Sequence, residues 1–593
     1  MEKNISKPIV EKIDYNSNSL LDFENELNSS KKSEEESEIL FRYPTIYIVN
    51  NQIKKKPSQF SVYVGETNDI KRRTNEHLQI DSRDSDFWKK IKNSTNSEMF
   101  LIGHEHFNKS LTLDIENRLM HYMSGIEAVT DISNKRANQQ GDYYTSDELN
   151  PIFELLWDEL RNKGKNSKGE NLFPPINVIK DSAIFKSSPF QKLTFEQFKA
   201  KDQVMAKIEE ALNRNKNGQL ILVTGEAGTG KTVLLSNLFY ELFKSSAADS
   251  ENVILRGKTE SLLVNHDEQL KVYKQIAKKL GMTDKKNPYM VEKPTTFIKN
   301  HSSKNKIDVI LVDEAHLLWT QGKQSYQGKN QLNDLLKQAK VVVAVFDPHQ
   351  ILRTAEYRSA ENIQKMQLDA AKNNNLVTLV NQMRIHSNEN TVKWIRNLID
   401  NSRISPIPND DSFDLRIFDS PQRMYDSIKA KSQNKQNGIS RLLATFDWPY
   451  NQKKKNKLDS KGYWNVKVED FSLPWNLQLP VHKGIKDLPW AEQDQTIDEV
   501  GSTFTIQGFD LNYAGVIIGP SVKYRNGHLI FDKTASMNKN ATQKRDGKID
   551  NSKEFLKNEL NVLLTRGVNG LYIYAVDDEL RKKLLKVQGD KIK

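Results

Sequence analysis

The chain has 593 residues and carries 88 Lys and Arg against 77 Asp and Glu, which gives a formal net charge of +11 and a pI near 9.1. A chain of this length is too long to fold around a single hydrophobic core, so about three or four domains are expected. The positive charge favours an anionic partner such as nucleic acid, although a basic solvated surface gives the same balance. The absence of cysteine excludes disulfides, Cys-ligated zinc and thiol nucleophiles. No apolar run approaches the ~18 residues of a membrane span, so we expect a soluble, cytoplasmic protein with no membrane partner.

The first 40 residues are polar and rich in Asn, Ser, Glu and Lys. This composition predicts a flexible arm over residues 1–40. Within it, Leu20, Leu21 and Phe23 are spaced for a short docking helix. The arm is therefore the predicted route to a homo-oligomer or to a protein partner.

Residues 41–145 predict a small α/β domain with a cluster of reactive side chains. The cluster combines two tyrosines on adjacent predicted strands, an Arg/His pair four residues apart on one helix face, and one helical carboxylate: Tyr47, Tyr63, Arg73, His77 and Glu116. In such a set tyrosine orients or deprotonates water, arginine stabilises the pentavalent phosphate, and glutamate holds a divalent ion. Composition alone does not separate this phosphodiesterase from an ordinary packed α/β domain.

The spacing Tyr-Val-Gly-x-Thr-x-x-Ile-x-x-Arg-x-x-x-His, from residue 63 to residue 77, resembles the GIY-YIG endonuclease signature. The resemblance implies that Tyr47 is the general base and that Tyr63 supports it. It also implies that Arg73 binds the scissile phosphate, that His77 assists, and that Glu116 is the single ligand of Mg²⁺ or Mn²⁺.

The family pattern also contains a late asparagine, for which Asn138 is preferred over Asn134. Two residues depart from the signature, since Thr45 stands where the first motif has glycine and Val64 replaces isoleucine. The second change is conservative, and the first leaves Tyr47 in place.

Residues 146–185 predict a helix followed by a linker, because residues 161–175 change from Gly and Lys to a proline pair. From 186 to the end, apolar strand-like runs alternate with helical stretches, which predicts parallel sheets. The runs are 253–255, 309–312, 341–346, 376–380, 442–446, 516–518 and 571–575.

Residues 225–232 read Gly-Glu-Ala-Gly-Thr-Gly-Lys-Thr and match the phosphate-loop pattern G-x-x-x-x-G-K-[ST] at every fixed position. A predicted strand precedes the loop and a predicted helix follows it, which is the context an anion cradle requires. Lys231 would reach the β- and γ-phosphates, and the Thr232 hydroxyl would hold Mg²⁺. The glycines let the backbone N–H groups turn inward: Gly225, Gly228 and Gly230. The loop predicts a bound nucleoside triphosphate.

The apolar run 307–312 ends in Asp313 and Glu314, where a phosphate-loop NTPase places its second Mg²⁺ carboxylate and its water-activating carboxylate. Three later residues also follow or precede predicted strands. Gln350 is a candidate sensor of the γ-phosphate, and Arg384 and Arg566 are candidate arginine fingers. A single arginine is more often a surface or salt-bridge residue.

The order of these motifs, from Gln197 to Arg566, resembles a superfamily 1 helicase, and in particular the schlafen-type (group 3) DNA/RNA helicase domain. The resemblance implies that Gln197 reads adenine and that Gln507 and Gly508 belong to the motif that couples nucleotide to strand. Residues 440–448 also resemble a segment common in this subgroup. The implied fold class is α/β: a small GIY-YIG-like nuclease domain followed by two RecA-like parallel-sheet lobes, with ATP between the lobes.

The expected lobes span 186–375 and 376–593, and the second carries insertions at about 447–490 and 521–553. The first insertion mixes lysines with aromatic residues, the combination that holds single strands, although Trp and Tyr more often fill a core. These residues are Trp448, Tyr450, Lys453, Lys454, Lys455, Tyr463, Trp464, Trp475 and Trp490. The basic residues between 523 and 548 suit a loop near the nucleic-acid track and a solvated loop equally.

Together these features predict an ATP- and Mg²⁺-dependent helicase or translocase with an endonuclease in cis. We expect DNA to be favoured over RNA as its partner, and expect a bacterial antiphage role by analogy with domain fusions. Two alternatives stay open: an ATP-gated binding switch whose nuclease domain is inactive, and an RNA-processing helicase-nuclease.

Overall fold

The computed structural model describes residues 5–29, 34–53, 56–79, 86–92, 94, 96–134, 143–165, 171–214, 216–225, 228–283, 290–380, 385–434, 438–482, 485–486 and 488–589. These residues form two compact units. The first unit holds the described residues of 1–192 and 274–288, and the second holds those of 193–273 and 289–593.

The first unit is an α/β domain built on one sheet. Its strands are β1 (Ile9–Asp14), β2 (Thr45–Ile53), β3 (Lys56–Thr67), β4 (Ser97–Gly103) and β5 (Val129–Ile132). Its helices are α1 (Ser17–Asn28), α2 (Glu34–Phe41), α3 (Ile70–Gln79), α4 (Asp86–Lys92), α5 (Lys109–Gly125), α6 (Leu149–Lys163), α7 (Ile176–Asp181) and α8 (Ala183–Lys186). The sheet order is β1-β4-β2-β3-β5, and only the β3–β5 pairing is parallel.

The N-terminal segment is part of this sheet, and the prediction of a flexible arm is wrong for its described residues. Strand β1 pairs antiparallel with β4, from Ile9 opposite Gly103 onward. The Asn16 side chain then caps α1 by accepting the Ser19 N–H at 2.8 Å. Leu20 is buried against its own domain, whereas Leu21 is exposed. The polar composition of this segment did not indicate a strand. An edge strand is held largely by main-chain hydrogen bonds, which do not depend on its side chains.

The predicted linker is also part of the first unit where it is described. Leu172 and Phe173 are buried, and the Phe173 ring packs edge-on against Trp157 at a centroid distance of 5.6 Å. The Trp157 indole N–H donates to the Pro174 carbonyl at 2.9 Å. The buried Leu172 and Phe173 side chains therefore anchor a segment whose composition is typical of a linker.

The second unit begins with α9 (Phe195–Asn213) and contains twelve helices and fifteen strands within the described ranges. The other helices are α10 (Lys231–Ser245), α11 (Asp267–Lys279), α12 (Pro294–Asn300), α13 (Gln331–Gln338), α14 (Ala360–Lys372), α15 (Glu389–Asp400), α16 (Pro421–Gln433), α17 (Thr503–Ile506), α18 (Lys539–Thr542), α19 (Ser552–Leu564) and α20 (Asp578–Gln588). The strands are β6 (Gln219–Gly225), β7 (Glu260–Val264), β8 (Val291–Glu292), β9 (Ile307–Asp313), β10 (Ala339–Phe346), β11 (Leu376–Leu379), β12 (Asp414–Ile417), β13 (Ser440–Ala444), β14 (Asn465–Val468), β15 (Phe471–Pro474), β16 (Val500–Gly501), β17 (Leu511–Ile518), β18 (Val522–Arg525), β19 (His528–Phe531) and β20 (Gly567–Ala575).

Two parallel sheets organise the second unit, which confirms the predicted α/β class with two RecA-like lobes. The lobe-one sheet has the order β11-β6-β10-β9-β7-β8, and the lobe-two sheet has the order β12-β20-β17-β13-β16. Strands β6, β9, β10, β13, β17 and β20 are buried almost throughout, as parallel strands covered on both faces require. None of the helices within the described ranges has the length and apolar character needed to cross a membrane.

Two strand assignments differ from the sequence expectation. Residues 253–255 lie in turns instead of a strand, because the Asn252 side chain accepts the N–H groups of Ile254 and Leu255, each at 3.1 Å. Strand β11 belongs to lobe one, where Leu376 pairs with Leu222, so the predicted boundary at 375 is wrong. The sequence of an apolar strand does not show which of the two sheets it joins, because that depends on the strand with which it forms hydrogen bonds.

The aromatic residues of the 447–490 insertion mostly fill the core of lobe two. Trp448, Trp475 and Trp490 are 9%, 0% and 0% exposed. Their indole N–H groups donate within the protein, for example from Trp448 to the Lys467 carbonyl at 2.8 Å. Of the two alternatives, core packing therefore describes these three tryptophans and base stacking does not, since a buried indole with a satisfied N–H has no face left for a ligand.

Some of the basic residues of the 521–553 insertion are held in ion pairs. Lys523 pairs with Asp532 at 2.7 Å, Arg525 pairs with Asp577 at 2.8 Å, and Lys533 pairs with Asp550. Arg545 donates to the Thr320 carbonyl at 2.8 Å. These four cations have partners within the protein, and both alternatives for the segment, a solvated loop and a loop near the nucleic-acid track, stay open.

Candidate nucleotide site and candidate nuclease site

The phosphate loop joins β6 to the N-terminus of α10, and its glycines adopt conformations that other residues avoid. Gly228 and Gly230 have φ values of 90° and 75°, in the left-handed region that favours glycine. A Cβ on Gly230 would lie 1.9 Å from the Gln197 amide nitrogen. Residues 226 and 227 lie outside the described residues. The helix N-terminus and the glycine turns form the anion cradle that the motif predicts.

The Lys231 ammonium lies at the centre of a buried polar cluster. It donates to the Gly225 carbonyl at 2.7 Å and lies 3.2 Å from Asp347 Oδ2. Burial opposes ionisation of Asp347, but Lys231, His316 and Gln350 prevail and lower the pKa of this carboxyl. Asp347 was not among the site residues predicted from the sequence. Its position directly after the apolar strand β10 could have indicated it.

The two predicted Mg²⁺ ligands are brought together in space. Asp313 Oδ2 accepts hydrogen bonds from the Gln269 amide at 2.5 Å and from the Tyr273 hydroxyl at 2.7 Å. The same Gln269 nitrogen lies 3.5 Å from Thr232 Oγ1. One carboxylate and one hydroxyl suit Mg²⁺, which usually takes one or two protein oxygens beside substrate phosphates, so the donor set fits the ion.

Glu314 is held as a carboxylate beside this pair. It is 7% exposed, and its Oε2 lies 2.9 Å from His316 Nε2. Burial raises the pKa of Glu314, but His316, Lys231 and Arg566 outweigh it and lower that pKa overall. Burial and the Glu314 charge raise the pKa of Asp313. The pKa of Glu314 is therefore lowered and that of its neighbour Asp313 is raised, and the water-orienting role of Glu314 stays a prediction.

Gln350 and Arg566 extend the cluster from lobe one to lobe two. The Gln350 amide donates to Asp347 Oδ2 at 2.7 Å, and Arg566 Nη2 donates to Gln350 Oε1 at 3.4 Å. Arg566 follows α19 and is 1% exposed, and its Nε donates to the Val562 carbonyl at 2.8 Å. A continuous polar path thus runs from the phosphate loop to an arginine of the other sheet. Arg384, the other predicted arginine finger, lies outside the described residues.

Gln197 and the pair Gln507–Gly508 flank the same cleft. The Gln197 side chain accepts the Thr194 N–H at 3.0 Å and donates to the Thr229 carbonyl at 3.4 Å, so it ties the cap of α9 to the phosphate loop. Gln507 is buried and Gly508 has a φ of 85°. The adenine and strand-coupling roles of these residues stay predictions.

In the first unit, the two predicted tyrosines lie side by side. Tyr47 on β2 and Tyr63 on β3 stack at a ring distance of 5.8 Å, and the Tyr47 hydroxyl lies 3.1 Å from His77 Nε2. Tyr47 faces Gly65 across the strand pair, and a Cβ on Gly65 would lie 2.5 Å from the Tyr47 ring. Only glycine therefore leaves room for this tyrosine. Trp88, which sequence reasoning did not single out, stacks on His77 at 3.8 Å.

Burial determines the protonation of this cluster. It raises the pKa of Tyr47 well above its usual range, with Tyr63 adding to the effect and Arg73 only partly opposing it. Burial and the Arg73 charge lower the pKa of His77 to about 3. At neutral pH the phenol keeps its proton and the imidazole is neutral, so the contact between the Tyr47 hydroxyl and His77 Nε2 is a hydrogen bond between two uncharged groups.

The predicted metal ligand Glu116 lies on α5 and is 4% exposed. The Asn134 amide nitrogen donates to Glu116 Oε1 at 2.8 Å and to the Val64 carbonyl at 2.6 Å. Asn134, the second choice from the sequence, is therefore the asparagine that the structure places at the carboxylate, whereas Asn138 lies outside the described residues. Within the described ranges no group of three or more His, Asp and Glu side chains is placed to hold a metal. The donor set fits only an ion that takes most of its ligands from water and phosphate.

A strand-loop-helix phosphate site, a carboxylate pair on a neighbouring strand and an arginine from a second parallel sheet define a phosphate-loop NTPase with two RecA-like lobes. The family model described as Schlafen group 3, DNA/RNA helicase domain matches residues 218–577. The chain belongs to this family, which confirms the helicase half of the sequence interpretation. Membership implies ATP as the nucleotide and Mg²⁺ as its cation. The match leaves residues 41–145 uncovered.

The chain is also similar to individual proteins. The chain is 36% identical over 449 residues to the uncharacterized protein YPL245W of Saccharomyces cerevisiae, across 70% of this chain and 94% of that protein. Among solved structures, a PRRSV helicase aligns at 10% identity over 64% of this chain and 56% of that chain, with a TM-score of 0.28. The Pif1 helicase from Candida albicans aligns at 13% identity over 67% and 98%, with a TM-score of 0.27. The chain thus spans little more than half the length of the PRRSV helicase.

Proposed function

We propose that this protein is an ATP-driven nucleic-acid helicase or translocase whose N-terminal unit is a metal-dependent endonuclease. The observation that carries the motor is the polar path from Lys231 through Asp347 and Gln350 to Arg566, which links the phosphate loop to the second lobe. A nucleotide between the lobes changes the partners of every residue on this path. Hydrolysis can therefore alter how the lobes are held together.

In this proposal Lys231 exchanges Asp347 for the β- and γ-phosphates, and Thr232 and Asp313 hold Mg²⁺. The ion neutralises charge on the phosphates. Glu314 orients the attacking water, and Arg566 stabilises charge developing on the γ-phosphate. Gln350 lies between Asp347 and Arg566, and its contacts with both residues change when the γ-phosphate is lost.

For the nuclease, the supporting observation is the Tyr47–His77 contact at 3.1 Å beside Arg73. In this proposal the Tyr47 hydroxyl, positioned by its contact with His77, orients the attacking water and relays the water's proton to solvent, because His77, whose pKa is about 3, is too weak a base to keep a proton. The water oxygen then bonds to phosphorus while the P–O bond to the leaving strand end breaks, and the leaving oxygen takes a proton from solvent. Arg73 would stabilise the pentavalent phosphate, and Glu116, whose carboxylate is fixed by Asn134, would hold Mg²⁺ or Mn²⁺. Arg73 lines a cleft of about 240 Å³ whose other walls include Thr67, Asn68 and Lys109, so a phosphate backbone has access.

The proposal includes DNA as the favoured substrate and the destruction of foreign DNA in bacteria as the biological role. The role rests on the fusion of a motor with a nuclease and on no single residue. A motor that moves or separates strands would deliver DNA to an enzyme that cuts it.

One experiment tests the whole function. The purified protein is incubated with single-stranded, duplex and forked DNA and with matched RNA, with and without ATP, and phosphate release and strand cleavage are measured. We expect DNA to stimulate hydrolysis more than RNA does, and we expect cleavage to require Mg²⁺ or Mn²⁺. Hydrolysis that no nucleic acid stimulates would contradict the motor. Stronger stimulation and cleavage with RNA would favour the RNA-processing alternative.

A lysine-rich loop on lobe two is the proposed contact for the phosphate backbone. Residues 451–463 connect β13 to β14, and Asp459 shapes the loop by accepting the N–H groups of Lys461 at 2.7 Å and Tyr463 at 3.3 Å. Leu458 at its tip is 97% exposed. Five exposed lysines of this loop take part in no ion pair among the described residues: Lys453, Lys454, Lys455, Lys457 and Lys461. In contrast to the paired cations of the 521–553 insertion, these cations are available to phosphates.

Changing these five lysines to glutamine should weaken single-strand binding and flatten its salt dependence. Each lost phosphate contact lowers the slope of log K against log salt by about 0.7, so binding titrations at several salt concentrations measure the number of contacts. The control removes the same charge from five lysines already held in ion pairs: Lys393, Lys429, Lys523, Lys533 and Lys582. Equal slopes for the two variants would exclude the loop from the nucleic-acid path.

A further inference from the structure

Two side chains of α11 occupy the side of Asp313 that faces Thr232. Gln269 and Tyr273 are four residues apart and share a helix face, and both donate to the same oxygen, Asp313 Oδ2, at 2.5 and 2.7 Å. Gln269 also approaches Thr232 Oγ1 at 3.5 Å and is 3% exposed. Neither residue belongs to the motifs that identified the motor.

The other end of the Gln269 amide reaches lobe two. An amide must present its N–H to a carboxylate, so its oxygen points away from Asp313. A Cβ on Gly508 would lie 3.1 Å from that oxygen. Within the described residues, Gln269 Oε1 is buried and accepts no hydrogen bond, and the neighbouring Gln507 has a buried amide nitrogen that donates none.

Among the described residues, the Gln269 acceptor, which lies close to Gly508, and the amide donor of Gln507, the residue directly before Gly508, thus both lack a partner. Buried polar groups without partners are rare in native proteins and destabilise the state that contains them. A second state of the cleft in which these two groups meet would satisfy both of them.

We propose that Gln269 is a positioning residue that couples the Asp313–Thr232 site to the Gln507–Gly508 segment of lobe two. In one state its N–H holds Asp313 Oδ2. With a cation bound at Asp313, the Gln269 N–H would lose this acceptor, and Gln269 Oε1 would then accept the Gln507 N–H. This inference rests on the proposed motor function, because it assumes that the second state binds nucleic acid differently.

Coupling of this kind is reciprocal. If Mg²⁺ and nucleotide change the affinity of the protein for nucleic acid by some factor, nucleic acid must change the affinity for Mg²⁺ and nucleotide by the same factor. The test measures binding of a non-hydrolysable ATP analogue with Mg²⁺ to the full chain, with and without single-stranded DNA. The ratio of the two dissociation constants is the coupling factor, typically ~5- to ~150-fold in coupled systems. We expect Gln269→Ala to bring this ratio close to one.

Tyr273→Phe is the matched control, because it removes a hydrogen bond from the same Asp313 oxygen without touching lobe two. It should change analogue affinity and keep the coupling factor. Gln507→Ala should lower the factor as Gln269→Ala does, and the double variant should lose no more than either single variant. If Gln269→Ala folds poorly, the Gln507→Ala variant still tests the proposal, because it must lower the coupling factor by itself.

A wild-type coupling factor retained in Gln269→Ala, or lost equally in Tyr273→Phe, would overturn the proposal. Additive losses in the double variant would do the same. Failure of the proposed function is a separate result, because the wild-type chain would then bind neither the analogue nor DNA.

Discussion

Replacing Glu314 with glutamine should lower nucleic-acid-stimulated ATP hydrolysis by about 10²- to 10⁴-fold, the range that general-base groups contribute. Glutamine keeps the shape of the side chain but cannot accept a proton or attract the water as strongly. Burial opposes ionisation of Glu314, but His316, Lys231 and Arg566 outweigh it and lower the pKa of this carboxyl. Binding of ATP should persist, since Lys231 and Thr232 are unchanged.

The measurement is steady-state phosphate release together with direct titration of an ATP analogue. Glu260→Gln on β7 is the matched control, because Glu260 is also a buried carboxyl of lobe one, and burial raises its pKa to about 7. That variant should hydrolyse ATP normally. Lys231→Ala should instead lose binding as well as hydrolysis. If Glu314→Gln retained more than about a tenth of the wild-type rate, Glu314 would not orient the attacking water.

Replacing Arg73 with alanine should lower DNA cleavage by about 10²- to 10³-fold, the cost of removing one preorganised charge from a phosphoryl transition state. Arg73 contacts the tyrosine pair, whose presence raises its pKa further, so its guanidinium is charged at every accessible pH. The assay is nicking of supercoiled DNA with Mg²⁺ or Mn²⁺. ATP hydrolysis by lobes one and two should be unaffected.

Arg72→Ala is the control for this result, because Arg72 pairs with Glu76 on the exposed side of α3. It should alter the affinity for DNA and not the rate of the bound complex. Glu116→Ala should abolish cleavage through loss of the metal. Because the pKa of His77 is lowered to about 3, its imidazole is neutral above that value, and cleavage should show no His77 titration between about pH 5 and about pH 8. Wild type and Glu116→Ala that are equally inactive would support the ATP-gated switch instead.

Local motifs predicted much of both candidate sites. The phosphate-loop residues and the Asp313–Glu314 pair could be placed because each follows an apolar strand, at the edge where parallel sheets gather functional side chains. Arg566 was placed by its motif, directly before β20. Tyr47, Tyr63 and His77 were predicted from spacing, and the structure places them in mutual contact. The role of each residue in catalysis stays a prediction that the variants above test.

Other features had no local signal. Asn134 and Glu116 are 18 residues apart in the chain and meet only because the segment after β5 returns beside α5. Asp347 and Gln269 join the nucleotide site through contacts with Lys231 and Asp313 that lie 116 and 44 residues away. Such pairs depend on how strands are ordered in the sheet, which no window of sequence contains.

The class of this protein could be predicted from local motifs, because a phosphate loop and a strand-borne carboxylate pair need particular residues at short, fixed spacings. Repeated apolar strands likewise predicted that the second unit is built from parallel sheets. Long-range contacts, in contrast, set which aromatic residues form the core, which cations have ion-pair partners and which segments join the N-terminal sheet. Burial and ion pairing are set by distant partners, so Trp475 and Lys454 look alike as candidate ligands in the sequence and differ completely in the fold.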